Sequence, residues 1–156
     1  MKVAIVGMGI QGVKRKKFLG SDFACSVDKF KNSDYSSIQK VPLKDYNAVF
    51  ICLPDKEKLK LVAALLQVAG EEYAIAVVNG KMENAHEYQD ALGFTTIARS
   101  IISQLDANTD SHQHAATLVD SIKPLWPTLI PPSTLDTDAG EIYGVAAKVE
   151  LLALSL

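Results

Sequence analysis

Short apolar runs alternate with longer amphipathic stretches over the first two thirds of the chain. Val3-Ala-Ile-Val6 is continuous, rich in β-branched residues and closed by Gly7, the pattern of a strand buried on both faces. Val13 to Leu19 reads as a short helix ended by Gly20-Ser-Asp22, and Phe23 to Val27 as a second strand. Lys29 to Lys44 is polar, with at most one helical turn before Pro42; Tyr46 to Leu53 is again an apolar strand, closed by Pro54-Asp55. Asp55 to Val68 is expected as a helix with Leu59, Val62, Ala63, Leu66 and Ala69 on one face, Lys56, Lys58 and Lys60 largely away from it, and Gly70 as its stop. Tyr73 to Val78 reads as a buried strand released into Asn79-Gly80-Lys81, Met82 to Leu92 as a helix closed by Gly93, and Phe94 to Ala98 as one more strand. This alternation predicts an α/β fold with a doubly wound parallel sheet over residues 1–99. Beyond Arg99 the pattern weakens. Ile101 to Leu105 and His114 to Ile122 read as helices, Pro124 to Pro132 holds four of the six prolines and reads as loop or edge, and Ile142 to Leu156 is apolar with its type left open. Residues 100–156 are expected to pack on the core or on a second subunit.

The stretch after the first strand carries the clearest chemistry. Gly7, Gly9 and Gly12 fit G-x-G-x-x-G, in which the glycines serve a tight turn, close backbone approach to a pyrophosphate, and close helix-to-strand packing. The backbone from Gly7 through Met8, Gly9, Ile10 and Gln11 to Gly12 would meet the phosphates at the positive end of a helix. Asp28 ends the second strand about 20 residues after the first glycine, where a carboxylate can take the ribose hydroxyls. The expected cofactor is NAD. Lys29, next to Asp28, partly offsets repulsion of a 2′-phosphate, so NADP is possible. The competing reading is a glycine-tightened turn and a surface aspartate.

Composition narrows the rest. With 156 residues, 48% hydrophobic and 22% charged, the chain suits one domain with a full core. A net charge of −2 makes no case for nucleic acid or an acidic membrane surface, and no apolar run approaches the length of a membrane span. A cytoplasmic location is expected, with Cys25 and Cys52 as reduced core thiols. Lys14, Arg15, Lys16 and Lys17 read as a solvated face whose start could lie near a phosphate. His112 and His114 lack a third ligand of matching spacing and read as a polar helix start, His86 as a surface residue, and no metal site is expected. Lys81, after the strand at Tyr73 to Val78, is the candidate proton donor beside a substrate carbonyl, against a solvated loop lysine.

Residues 1 to about 70 resemble the nucleotide-binding half of the glucose-fructose oxidoreductase/inositol dehydrogenase (Gfo/Idh/MocA) family. The pieces that carry this are Val6 to Gly12 with its Lys-Arg pair, Val27-Asp28, Asp34 to Ile38 leading to Val41-Pro-Leu-Lys-Asp-Tyr46, and Ala48 to Asp55. The resemblance implies a Rossmann-type fold, places Cys52, Leu53 and Pro54 on the nicotinamide side, and makes Lys81 a displaced version of the family's lysine. Asn79-Gly80-Lys81-Met82 replaces the usual Glu-Lys-Pro, and the family's large second domain is not expected within residues 100–156. A looser likeness links the second half to the N-terminal domain of glycerol-3-phosphate dehydrogenases. The implied function is an NAD(P)-dependent oxidoreductase acting on a small hydroxy or carbonyl substrate of sugar or polyol type. The alternatives are a non-catalytic dinucleotide-binding or regulatory module and a Rossmann-type protein with another ligand. A homodimer, closed through Trp126 and residues 145–156, is expected to cover the sheet.

Overall fold

The computed structural model describes residues 1–105 and 108–156. They divide into two compact units, Met1–Pro54 and Asp55–Leu156.

In the first unit β1 (Val3–Val6) lies between β2 (Phe23–Val27) and β3 (Ala48–Ile51) in a parallel sheet of order β2-β1-β3, with α1 (Ile10–Leu19) linking β1 to β2. The register sets Val6 beside both Val27 and Ile51, so all three strands end at one edge. Ala4, Cys25, Val27 and Val41 form a buried cluster, with Val6, Tyr35, Ile38 and Tyr46 packed against it. Asp34 pins the segment after β2: its Oδ2 accepts from Ser26 N and Ser26 Oγ, both at 2.8 Å. These bonds hold the Asp34 carboxyl below its ordinary pKa, against the opposing effect of burial.

The second unit is helical. It comprises α2 (Asp55–Ala76), the hairpin β4 (Val77–Val78) and β5 (Lys81–Met82), α3 (Ala85–Ile102), α4 (Asp110–Asp120) and α5 (Ala139–Leu154). α2 packs against α3 and α5, and α4 packs against the same two, which closes the four helices into a ring. Each later helix starts on a side-chain cap: Asn84 accepts from His86 N, Thr109 from His112 N and Asp138 from Gly140 N. The buried stripes follow helical spacing, with Leu59, Val62, Leu66, Ala69, Tyr73 and Ala76 on α2 and Ile142, Val145, Ala146, Val149 and Ala153 on α5.

The doubly wound sheet is therefore corrected. The expected strand Tyr73 to Val78 is mostly the last turn of α2, and the expected strand Phe94 to Ala98 lies inside α3. Tyr73 and Ala76 continue the inward stripe of α2, while Ile75 is 55% exposed. A continuous apolar run reads equally as a two-faced strand or as a helix with apolar residues left outside, and packing decided it. In α3 the β-branched Thr95 and Thr96 donate to Ala91 O and Leu92 O, so their hydroxyls are satisfied inside the helix. Gly70 does not stop α2. A Cβ there would lie 2.5 Å from Tyr143 Cε1, so the glycine leaves room for the Tyr143 ring of α5. Arg99, the expected end of the core domain, is an interior residue of α3. Lys58, expected on the outer face, is buried: Nζ donates to Gln104 O at 2.7 Å and pairs with Asp55 Oδ1 at 3.0 Å.

Candidate functional site

Parallel pairing brings the ends of β1, β2 and β3 together, and with them most of the residues singled out by the glycine pattern. Gly7 N donates to Val27 O at 2.8 Å and Cys52 N to Val6 O at 2.7 Å, so Gly7, Asp28 and Cys52 share one edge. Gly7 has φ +93°, and a Cβ would sit 2.7 Å from Cys52 O and 3.1 Å from Leu53 Cδ2. Gly12 is the sole buried residue of α1, and a Cβ there would run into the carbonyl oxygen of Gly7. Gly9 is different. It caps α1 with extended backbone, and nothing lies within 4 Å of where its Cβ would be. The loop is thus closed on two sides by its own backbone and open at its middle glycine. Met8 is half-buried, Gln11 exposed and Ile10 77% exposed.

Asp28 holds this loop to β2. Oδ2 accepts from Met8 N at 2.6 Å, and Oδ1 from Phe30 N at 2.8 Å and Lys31 N at 2.9 Å. Burial works to raise its pKa, but the three backbone bonds and the Lys31 charge outweigh it, and the carboxyl sits below its ordinary value. Lys29 turns outward over the Phe30 ring, 5.4 Å from its centroid. The basic run on α1 is exposed but not wholly solvated: Arg15 lies over Phe50 and Lys16 over Phe23. Pro54 is exposed and ends the unit. Cys25 and Cys52 form no disulfide, and burial first, then Asp34 and Asp45, push the Cys25 thiol up.

Lys81 is elsewhere. It is not at the end of a strand of this sheet, but exposed on β5 of the helical unit, after the Asn79-Gly80 turn in which both residues have positive φ. Its backbone bridges to Thr134, and Leu135 N donates to Gly80 O at 2.9 Å, so the hairpin braces the segment before α5. His86 is exposed, 3.5 Å from Asp90, and among the described residues no group of three or more His, Cys, Asp or Glu could hold a metal ion.

Inside the helical unit the proline-rich segment is tied down by three aromatics, of which Trp126 was expected at a subunit interface. Tyr73 Oη bonds Thr137 Oγ1 and donates to Leu125 O at 3.3 Å. Tyr88 Oη donates to Thr128 O at 3.0 Å, and Trp126 Nε1 returns a bond to Tyr88 O at 3.3 Å. Trp126 meets the Tyr73 ring edge-on at 5.4 Å. Trp126, Val145 and Val149 are thus covered by their own unit.

The ring of α2, α3, α4 and α5 has a counterpart among known families. Residues 54–153, close to two thirds of the chain, match the model of the iron permease-associated four-helix bundle domain. The chain belongs to this family. The limits of the bundle match coincide almost residue for residue with the helical unit. No curated protein and no solved structure matches the chain. Membership in the bundle family corrects the sequence reading: the chain is assigned neither to the Gfo/Idh/MocA oxidoreductases nor to the glycerol-3-phosphate dehydrogenases. The NAD(P)-dependent hydride transfer inferred from them goes with that assignment. Among the described residues no helix of the bundle protein is long and apolar enough to cross a membrane.

Proposed function

We propose that the chain is an accessory of an iron permease, its helical unit serving as the part that engages the transport system. The observation that carries this is the family match over residues 54–153, which falls on a closed ring of four helices. Exposed apolar side chains on that unit, Leu151 and Leu154 on α5 and Leu129 and Ile130 before it, suit a contacting role. The finer location in this reading is the cytoplasm. The test is deletion of the chain in a cell that depends on an iron permease. Lower iron uptake at unchanged permease abundance, with the two proteins recovered together after crosslinking, is expected; unchanged uptake and no crosslink would refute the role.

Two further expectations continue as proposals. NAD is the ligand proposed for the glycine loop, for binding alone, supported by the open middle glycine between two sterically required ones. Calorimetry should show NAD binding that Gly9→Val abolishes, and equal affinity in the variant would remove the site. Self-association as a two-fold dimer is proposed through the exposed leucines of α5, in place of Trp126. Light scattering at micromolar concentration should give twice 16.9 kDa, falling to the monomer in Leu151→Glu/Leu154→Glu; a monomeric parent protein ends that proposal.

A further inference from the structure

The sequence places Asp110-Ser-His-Gln-His114 at the start of α4, and the structure gives one of these histidines a setting that neither the fold nor the family reading uses. An open cavity of about 190 Å³ lies between α3 and α4. Arg99, Ile102 and Ser103 line it from α3, and His112, Val119 and Asp120 from α4. Two polar atoms of these lining residues, Arg99 Nε and His112 Nδ1, are buried and have no hydrogen-bond partner among the described residues. Native interiors leave few such groups, and two beside one cavity call for a common partner.

Arg99 says what that partner is, since its Nε–H can only donate and so calls for an acceptor. Arg99 is held loosely: an N–H of its guanidinium donates to Val119 O at a long 3.4 Å, and Nε stands 3.5 Å from Asp120 Oδ1 in an ion pair without a hydrogen bond. Asp120 is shared with Lys123, also at 3.5 Å, so one carboxylate faces two cations. The lining itself sets one cation, Arg99, against one carboxylate, Asp120, beside an apolar wall of Ile102 and Val119. Its volume falls below the roughly 300–1,000 Å³ of pockets for drug-sized ligands, which leaves a molecule of a few heavy atoms.

We propose that this cavity binds a small oxyanion, a carboxylate or inorganic phosphate, between the Arg99 guanidinium and the His112 imidazole. A guanidinium edge and a ring N–H are the donors that such an anion accepts from, and Arg99 gains the short charge-assisted bonds that Asp120 does not supply. Asp120 is the internal competitor for Arg99, so removing its charge strengthens binding.

The experiment is a titration of the full ¹⁵N-labelled chain with sodium acetate and, separately, with sodium phosphate, at ionic strength fixed with sodium chloride. Saturable amide shifts centred on Arg99, Ser103 and His112 are expected. The salt that saturates at the lower concentration identifies the source of the oxyanion. Arg99→Gln should weaken binding at least tenfold, and Asp120→Asn should tighten it several-fold. Linear shifts spread over the surface lysines in both titrations would overturn the proposal, as would unaltered affinity in Arg99→Gln that keeps its thermal transition. Should Arg99→Gln fail to fold, Asp120→Asn decides alone, and binding no tighter than in the parent protein counts against the site.

Discussion

Glycines show how much of a residue's role can be read before its neighbours are known. Gly7 and Gly12 were legible because the strand–turn–helix pattern supplies their neighbours within a few residues, whereas the bonds Asp28 accepts from Met8, Phe30 and Lys31 were not read from its place at the end of the adjoining strand. Gly70 was not legible, since its reason is Tyr143, on a different helix, while an isolated glycine after an amphipathic stretch ordinarily marks a helix end. The same contact sets a prediction with a built-in control. Gly93, inside α3, has nothing within 4 Å of its Cβ position. Gly93→Ala should stabilise the protein by about 0.5–1 kcal/mol through helix propensity. Gly70→Ala should instead destabilise it by about 1–3 kcal/mol, because the new methyl overpacks against the Tyr143 ring. Urea unfolding of the two variants checks the opposite signs. Asp28 carries a pH prediction. Its pKa is depressed in the folded chain, so its contribution is fully present above the unfolded carboxylate value of about 3.9 and is lost as pH falls through the lower folded value. Amide exchange at Met8, Phe30 and Lys31 should therefore lose protection in that acid range. Asp28→Asn should exchange faster already at pH 6, with no acid step.

At the scale of elements, the misreadings have one cause. β1 and β2 were read from local pattern with the bounds they have, and α1, β3 and the first part of α2 are found with shifted ends. The runs at Tyr73 and Phe94 were assigned to strands because both were apolar and followed a glycine. A 22-residue α2 with Ile75 left outside has no local signature that separates it from a helix followed by a strand. Other signals were present and unused. Asn79-Gly80 between Val77-Val78 and Lys81-Met82 is a two-residue hairpin turn, and Asp138 with Glu141 three residues later marks the start of α5. Helical spacing from Ile142 to Ala153 then identifies that apolar segment as a helix. The link between α4 and α5 depends on Tyr73, whose hydroxyl serves Leu125 O and Thr137 together. Tyr73→Phe keeps the ring and removes both bonds. It should cost about 1–2 kcal/mol in urea unfolding with an unaltered slope, as it leaves a buried carbonyl unpaired without changing the area buried. No measurable loss would show that the other ties, Tyr88 to Thr128 O and Trp126 to Tyr88 O among them, hold the segment without the Tyr73 hydroxyl.

For the whole molecule, the boundary moves from Arg99 to Pro54, and the functional assignment moves with it. Function had been read from the segment with the sharpest short motif, whereas the family match rests on the longer segment, residues 54–153. In that helical unit the ring closes on itself: each helix packs against two others, and Tyr73, Tyr88 and Trp126 fasten the one long connection between helices. An isolated helix shorter than about 12–15 residues is marginal in water, so an 11-residue α4 depends on this packing for its existence. The Met1–Pro54 unit is small by the same measure: a 60-residue domain buries only about 60% of the surface its unfolded chain exposes. Residues 55–156 expressed alone should accordingly fold, with a helical circular dichroism spectrum, dispersed amide signals that include α4, and a cooperative thermal transition. Residues 1–54 alone should show weak or no cooperative unfolding. If residues 55–156 lose their helicity once separated, the ring is not self-sufficient and the family's bundle depends in this chain on the segment before it.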